Sequence, residues 1–208
     1  MGATRRGEVA AIARNAGVWL IEDDPYSRLF DTPLPALAAL APEQTFHVAT
    51  LSKTLSPGLR TAFLAAPSAG WADQVTASLR ATALMGSPLT TAIAVRWIRD
   101  GAAERVLGGV RREARARRAM AAEILPTAQG AAEGVHVWLD LPLGWNADRL
   151  HALAAARGLA LVAADAFAAG PDYPNGLRIS LGGPTGRPVL REALVQLAAL
   201  LAGEPPSA

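Results

Sequence analysis

Val18-Trp19-Leu20-Ile21-Glu22-Asp23-Asp24-Pro25-Tyr26 is an unbroken apolar run that ends abruptly in three carboxylates and a proline. Four consecutive apolar residues are too few for a helix, and without polar alternation they read as a strand buried on both faces, as in parallel sheets. Phe46-His47-Val48-Ala49-Thr50-Leu51 repeats the pattern and delivers Ser52-Lys53 at its own end, and residues 61–66 supply a third strand. In open α/β sheets, ligands bind outside the carboxyl ends of parallel strands. Two polar clusters at two such ends therefore predict one shared site.

Lys53 is the only lysine, and the other 19 basic residues are arginines. Guanidinium stays charged, whereas a lysine amine can lose its proton and attack a carbonyl to form a Schiff base. An arginine-rich composition alone also leaves lone lysines, so the surroundings of Lys53 carry the functional reading.

Working outward, residues 4–16 place Val9, Ile12, Ala13 and Ala16 at helical spacing, with Thr4 as the expected N-cap and Gly17 as the stop. Beyond Pro67, helical patterns run over residues 71–84 and 89–125, the second interrupted near Asp100-Gly101. Val135, Val137, Leu139 and Leu141 then alternate with polar positions, as in a strand with one buried face. A helix over 148–157 stops at Gly158, strands follow near 159–162 and 177–181, and a last helix starts at Pro188 with Leu190, Leu194, Leu197 and Leu201 on one face. The tail 203–208 reads as frayed. This divides the chain into residues 1–100, part of a large α/β domain with bridging helices, and 101–208, a small α+β domain.

Composition narrows the chemistry. The 208 residues are 51% hydrophobic and 18% charged, enough to bury a core. With no cysteine, disulfides, thiolate metal sites and a cysteine nucleophile are excluded. His47, His136 and His151 are too scattered for a ligand set, so no metal is expected. No apolar stretch reaches membrane-spanning length and no signal peptide opens the chain, so a cytoplasmic protein is expected. The basic run Arg111–Arg118 reads as a solvated helix face, since no aromatic interleaving or nucleic-acid motif accompanies it.

Glu22-Asp23-Asp24-Pro25-Tyr26, then Ser52-Lys53 with Arg60 seven residues on, then Leu177-Arg178-Ile179-Ser180, occur in an order that resembles the fold type I pyridoxal-phosphate aminotransferases, class I/II. The similarity is to the 2-aminoadipate and kynurenine aminotransferase branch and to the aminotransferase-like domains of MocR-type regulators. It covers nearly the whole chain. The implied fold is the C-terminal part of such a transferase: part of a mostly parallel large-domain sheet with helices, then a small α+β domain.

The resemblance implies a role for each residue. Asp23 would pair with the ring nitrogen of pyridoxal phosphate, where a carboxylate keeps the nitrogen protonated and the ring electron-withdrawing. Adjacent strand positions face opposite ways, so only one of Asp23 and Asp24 can serve, and Glu22 reads as a solvated strand-end acid. Tyr26 would bond the phenolic oxygen. Lys53 would anchor the cofactor as a Schiff base and then act as the proton carrier. Arg60, Ser52 and Thr50 would hold the phosphate, and Arg178 would grip the substrate α-carboxylate.

Residues 1–6 resemble the stretch that follows the family's Asn-Pro motif, so the remaining cofactor contacts are expected from a preceding segment and from a second subunit of a homodimer. An internal methionine of a longer frame, or a broken gene, is the corresponding expectation for Met1. The implied activity is amino-group transfer between an amino acid and a 2-oxo acid. The alternatives are a regulator's effector-sensing part, with nucleic acid bound by a separate winged-helix domain, and an inactive remnant.

Overall fold

In the computed structural model, residues 1–203 are described. The chain divides into two compact units, Met1–Val110 and Arg111–Ala208. Residues 204–208 of the tail expected to fray lie outside the described residues.

In the first unit, α1 (Ala3–Ala16) is capped by Gly2 without a side-chain bond, not by Thr4, which lies inside the helix. Gly17 ends the helix in the left-handed conformation, φ 63°, where a side chain would be strained. Then follow β1 (Leu20–Asp24), the single turn α2 (Leu37–Leu40), β2 (Thr45–Thr50), β3 (Ala62–Ala65), α3 (Ala69–Ala83) and α4 (Pro88–Arg99). Ser68 and Ser87 cap α3 and α4 with their hydroxyls.

The strands form one sheet in the order β1-β2-β3. β1 runs parallel to β2, with Ile21 opposite Phe46 and Asp23 opposite Val48. β3 returns antiparallel to β2. The carboxyl ends of β1 and β2 are therefore neighbours, as the shared-site expectation requires.

One expectation fails here. The run opening β1 is not buried on both faces: Val18, Trp19 and Ile21 are exposed, Ile21 to 78%. Strand alternation puts Ile21 and Asp23 on one face, with Phe46, Val48 and Thr50 of β2, and turns Glu22 to the other. That second face is packed by α2, and at the rim of the first Trp19, Phe46 and Trp71 of α3 stack with ring centroids 5.1 to 5.7 Å apart.

The long helix α5 (Ala102–Ile124) begins in the first unit and enters the second at Arg111. The second unit adds β4 (His136–Asp140), α6 (Ala147–Ala155), β5 (Val162–Ala163), β6 (Gly176–Ser180) and α7 (Arg187–Ala202). Its sheet is antiparallel in the order β4-β6-β5. Val137 and Leu139, Leu177 and Ile179, and Leu190, Leu194 and Leu197 of α7 close one apolar core. Burying each such side chain is worth about 1.5–3 kcal/mol relative to exposure.

The basic run on α5 is more than a solvated face. Arg117 donates to the carbonyls of Leu181 and Pro184, both at 2.8 Å, and pairs with Glu113 at 2.7 Å. Arg118 donates to the Ala128 carbonyl at 3.2 Å. These arginines fasten loops of the second unit to the helix. Among the described residues no helix is long and apolar enough to cross a membrane.

Candidate functional site

The end of β1 separates its three carboxylates by function. Glu22, expected in solvent, is buried at 8% exposure. Its Oε1 accepts from Arg6 of α1 at 2.6 Å, and its Oε2 lies 3.1 Å from His47 Nδ1 and accepts from the Ala38 amide at 3.3 Å. Burial, the largest single influence, pushes this carboxyl upward, yet the bonds from Leu37, Arg6, His47 and Ala38 together hold it below the ordinary carboxylate range. The expectation failed because the face that α2 covers is the even-numbered one.

Asp24 points to the same side as Glu22, and its Oδ1 accepts from the Ser27 amide at 2.9 Å, closing the turn that leads through Tyr26 into a 3-10 helix at Ser27–Leu29. Asp23 alone is exposed on the opposite face. Tyr26 is half-buried at the start of the turn, where its carbonyl accepts from the Leu29 amide.

β2 brings Thr50 to that same opposite face, two residues beyond Asp23's register partner Val48. The Thr50 hydroxyl oxygen is buried and, among the described residues, has no hydrogen-bond partner. The strand then turns through Ser52 and the exposed Lys53. The Leu55 and Ser56 amides both bond the Leu51 carbonyl, at 2.9 and 3.1 Å, so the lysine turn is tied back to the end of its own strand.

Ser56 caps the following 3-10 helix, Pro57–Leu59, by accepting from the Gly58 amide. Arg60 ends that helix at φ 48°, ψ 38°. A non-glycine residue in this left-handed region costs about 1–2 kcal/mol. Among the described residues, Asp23, Lys53 and Arg60 form no side-chain hydrogen bond or ion pair. An apolar cavity of about 300 Å³ opens near the same strand end, between Ala49, Leu51, Phe63, Ile98 and Leu107, but neither Asp23 nor Lys53 lines it.

In the second unit, Arg178 lies in the middle of β6 between Trp138 and Val162. It shares their face and not that of the core-facing Leu177 and Ile179. Its guanidinium carbon sits 4.6 Å from the centroid of Phe167, a cation–π stack that holds the planar group in place. Its Nε is buried without a hydrogen-bond partner among the described residues. Phe167 was not singled out from the sequence, since a lone aromatic before a glycine-rich loop carries no signal of what it stacks on.

A parallel strand pair that ends in an acid and a lysine turn, followed by a small antiparallel α+β unit with an arginine in mid-strand, is the arrangement that the sequence resemblance implies. Comparison with known proteins gives the same answer. No family model matches the chain. It is 32% identical over 204 residues to the HTH-type transcriptional regulator YdeF of Bacillus subtilis, covering 97% of this chain and 44% of that protein. It is 30% identical over 191 residues to the 2-aminoadipate transaminase of Thermus thermophilus, covering 84% and 47%. The fold matches the crystal structure of Pyrococcus horikoshii kynurenine aminotransferase in complex with PMP, with a TM-score of 0.87 at 24% identity over 97% of this chain and 52% of that one. The chain has the fold of the C-terminal portion of the aminotransferases of fold type I and spans about half the length of these relatives.

The residues present suit the cofactor of that group. Among the described residues the buried Thr50 hydroxyl has no hydrogen-bond partner, and Arg60, held in a left-handed turn, makes no ion pair; donors of these two kinds suit a phosphate.

Proposed function

We propose that this chain carries the lysine-bearing part of a pyridoxal-phosphate site and serves amino-group transfer between an amino acid and a 2-oxo acid. The observation that carries the reading is the sorting of the acids on β1: Glu22 and Asp24 are engaged on one face, leaving Asp23 exposed on the face it shares with Thr50.

When bound, pyridoxal phosphate withdraws electrons from the α-carbon of the amino acid joined to it. The Asp23 carboxylate would hold the proton on the ring nitrogen, and the Tyr26 hydroxyl would donate to the phenolic oxygen. Thr50, Ser52 and Arg60 would bind the phosphate through two hydroxyls and a guanidinium fork. Nζ of Lys53 would capture the aldehyde carbon and, once displaced, would carry a proton. Arg178, its guanidinium already oriented by Phe167, would pair with the substrate α-carboxylate. We assign the cofactor residues to the first part of the chain and the carboxylate grip to the small domain. We further propose a homodimer in the cytoplasm whose second subunit completes the cage.

The test is to add pyridoxal phosphate to the purified chain, reduce with borohydride and map the modified peptide by mass spectrometry. Modification at Lys53, lost in Lys53→Arg, is expected. An unmodified position 53 overturns the reading.

The similarity to YdeF over nearly the whole chain supports a second reading, in which the same lysine binds the cofactor and the output is regulation of a DNA-binding domain. Exposing the loaded chain to amino acids separates the two. Conversion of the cofactor to its amine form supports the transferase, and retention at Lys53 supports the sensor.

A further inference from the structure

Lys53 and Arg60, assigned above to the aldehyde carbon and the phosphate of the cofactor, lie on one short stretch of chain between β2 and β3. A closed circuit of hydrogen bonds runs through it. The Leu51 carbonyl accepts the Leu55 and Ser56 amides at 2.9 and 3.1 Å. The Ser56 hydroxyl accepts the Gly58 amide at 3.2 Å, and the Pro57 carbonyl accepts the Arg60 amide at 3.3 Å. The Thr61 hydroxyl donates to the Leu59 carbonyl at 3.0 Å. The Thr61 carbonyl accepts the Leu51 amide at 3.1 Å, which returns the circuit to its start. Leu59, 6% exposed, pins the loop to the interior, while Lys53 and Arg60 are exposed upon it.

Arg60 is the strained member, at φ 48° and ψ 38°. A residue with a side chain keeps a left-handed backbone only where its surroundings over-determine it, and such outliers gather at binding sites. The bond from Thr61 to Leu59 does this directly. The ring it closes contains both rotatable backbone bonds of Arg60, so it ties φ and ψ together from the two flanking residues. Ser56 acts from the entry side, since by holding the Gly58 amide it sets the 3-10 turn whose last bond is that of the Arg60 amide to Pro57. Relaxed into the right-handed or extended region, Arg60 would send its side chain off another side of the turn. Lys53, tied back through the Leu51 carbonyl, would keep its place.

We propose that Thr61 and Ser56 are positioning residues for phosphate recognition: their hydroxyls hold Arg60 in its left-handed backbone and so fix the direction of its guanidinium relative to Lys53. The ligand class this serves is an aldehyde that carries a phosphate, met at both ends by one loop. The proposal rests on the function proposed above, and it gives neither hydroxyl a contact with the cofactor.

Pyridoxal, which has the aldehyde and lacks the phosphate, separates positioning from folding. Dissociation constants of the chain for pyridoxal and for pyridoxal phosphate are measured, with capture at Lys53 confirmed by borohydride reduction. The unsubstituted chain is expected to prefer the phosphorylated form by at least about tenfold. Thr61→Val, which removes the hydroxyl and keeps the branched shape, should cut that preference about fivefold and leave affinity for pyridoxal within about twofold. Ser56→Ala should cut it about threefold, and Thr61→Ser should retain it in full. In the Arg60→Gly background, Thr61→Val should change the preference by less than about twofold, because the residue through which it acts is gone. Equal weakening towards both aldehydes in Thr61→Val and Ser56→Ala, or an unchanged preference, overturns the positioning role and leaves the cofactor site intact. Equal affinity of the unsubstituted chain for the two removes the phosphate assignment and this role together. Failure of Lys53 to capture either aldehyde sinks the proposed function itself.

Discussion

The Asp24 carboxylate accepts the Ser27 amide hydrogen at 2.9 Å, which commits this acid to shaping the turn after β1. Asp24→Ala is expected to destabilise the chain by about 1 kcal/mol in denaturant unfolding, the usual cost of losing a side-chain bond to a turn amide. Lys53 labelling should persist. Asp23→Asn should do the reverse, leaving stability within about 0.5 kcal/mol and altering the titration of the bound cofactor. If Asp24→Ala instead abolished the effect on the cofactor, the ring-nitrogen role would pass to Asp24.

Arg60 occupies φ 48° with an ordinary side chain. Glycine relieves that conformation at some cost in chain entropy, so Arg60→Gly should leave the protein as stable or gain up to about 1 kcal/mol. Affinity for pyridoxal phosphate should fall at least about tenfold, because a charge-assisted phosphate bond is lost. Thermal unfolding and a binding titration of the same sample check both halves. Unchanged affinity would remove Arg60 from the phosphate site.

Gly176 faces Trp138 across the β4–β6 pair, and a Cβ there would stand 2.6 Å from the indole ring and 2.9 Å from the Leu139 carbonyl. Gly176→Ala should therefore destabilise the second unit by about 1–3 kcal/mol, as overpacking does. The midpoint of unfolding by tryptophan emission measures it. Trp138→Ala, which clears the space, should rescue part of the loss in the double variant.

Glu113 takes bonds from Arg187 and then from Arg117, at 2.7 Å each, and these hold its carboxyl down at about 2 against an ordinary 4.5. A carboxyl depressed in the folded state stabilises above its unfolded value and loses that contribution as pH falls. The stabilisation should thus be intact above about pH 4.5 and disappear on the way to about pH 2. Glu113→Gln should flatten the acid side of the stability profile. Because Glu113 is 40% exposed and Arg187 51%, added salt should shrink the difference between the two proteins.

Much of the architecture could be read from the residues because local rules and tertiary packing agree. The stops at Gly17 and Gly158 are left-handed glycines, and Pro188 lies in the first turn of α7. Val137 and Leu139 are buried as their alternation requires. Faces were harder to read. Strand parity showed that Asp23 and Asp24 point oppositely, but which side α2 would cover depends on the path of residues 25–44, which have no periodicity. Glu22 was misjudged for that reason, although a histidine at the matching place in the next parallel strand was its one available signal. Arg117 was lost within a basic run because its two carbonyl partners lie more than sixty residues downstream. Phe167 had no signal at all.

Trp19 and Trp71 meet edge to face at 5.1 Å at the rim of the sheet face that bears Asp23. Two indoles so close and so inclined couple their strong electronic transitions, which gives the first unit an optical signature of its own in the far ultraviolet. A molecule settling over that face would disturb the couplet without any dye or label. The unsubstituted protein thus contains its own gauge of whether the open side of β1 is bare or covered.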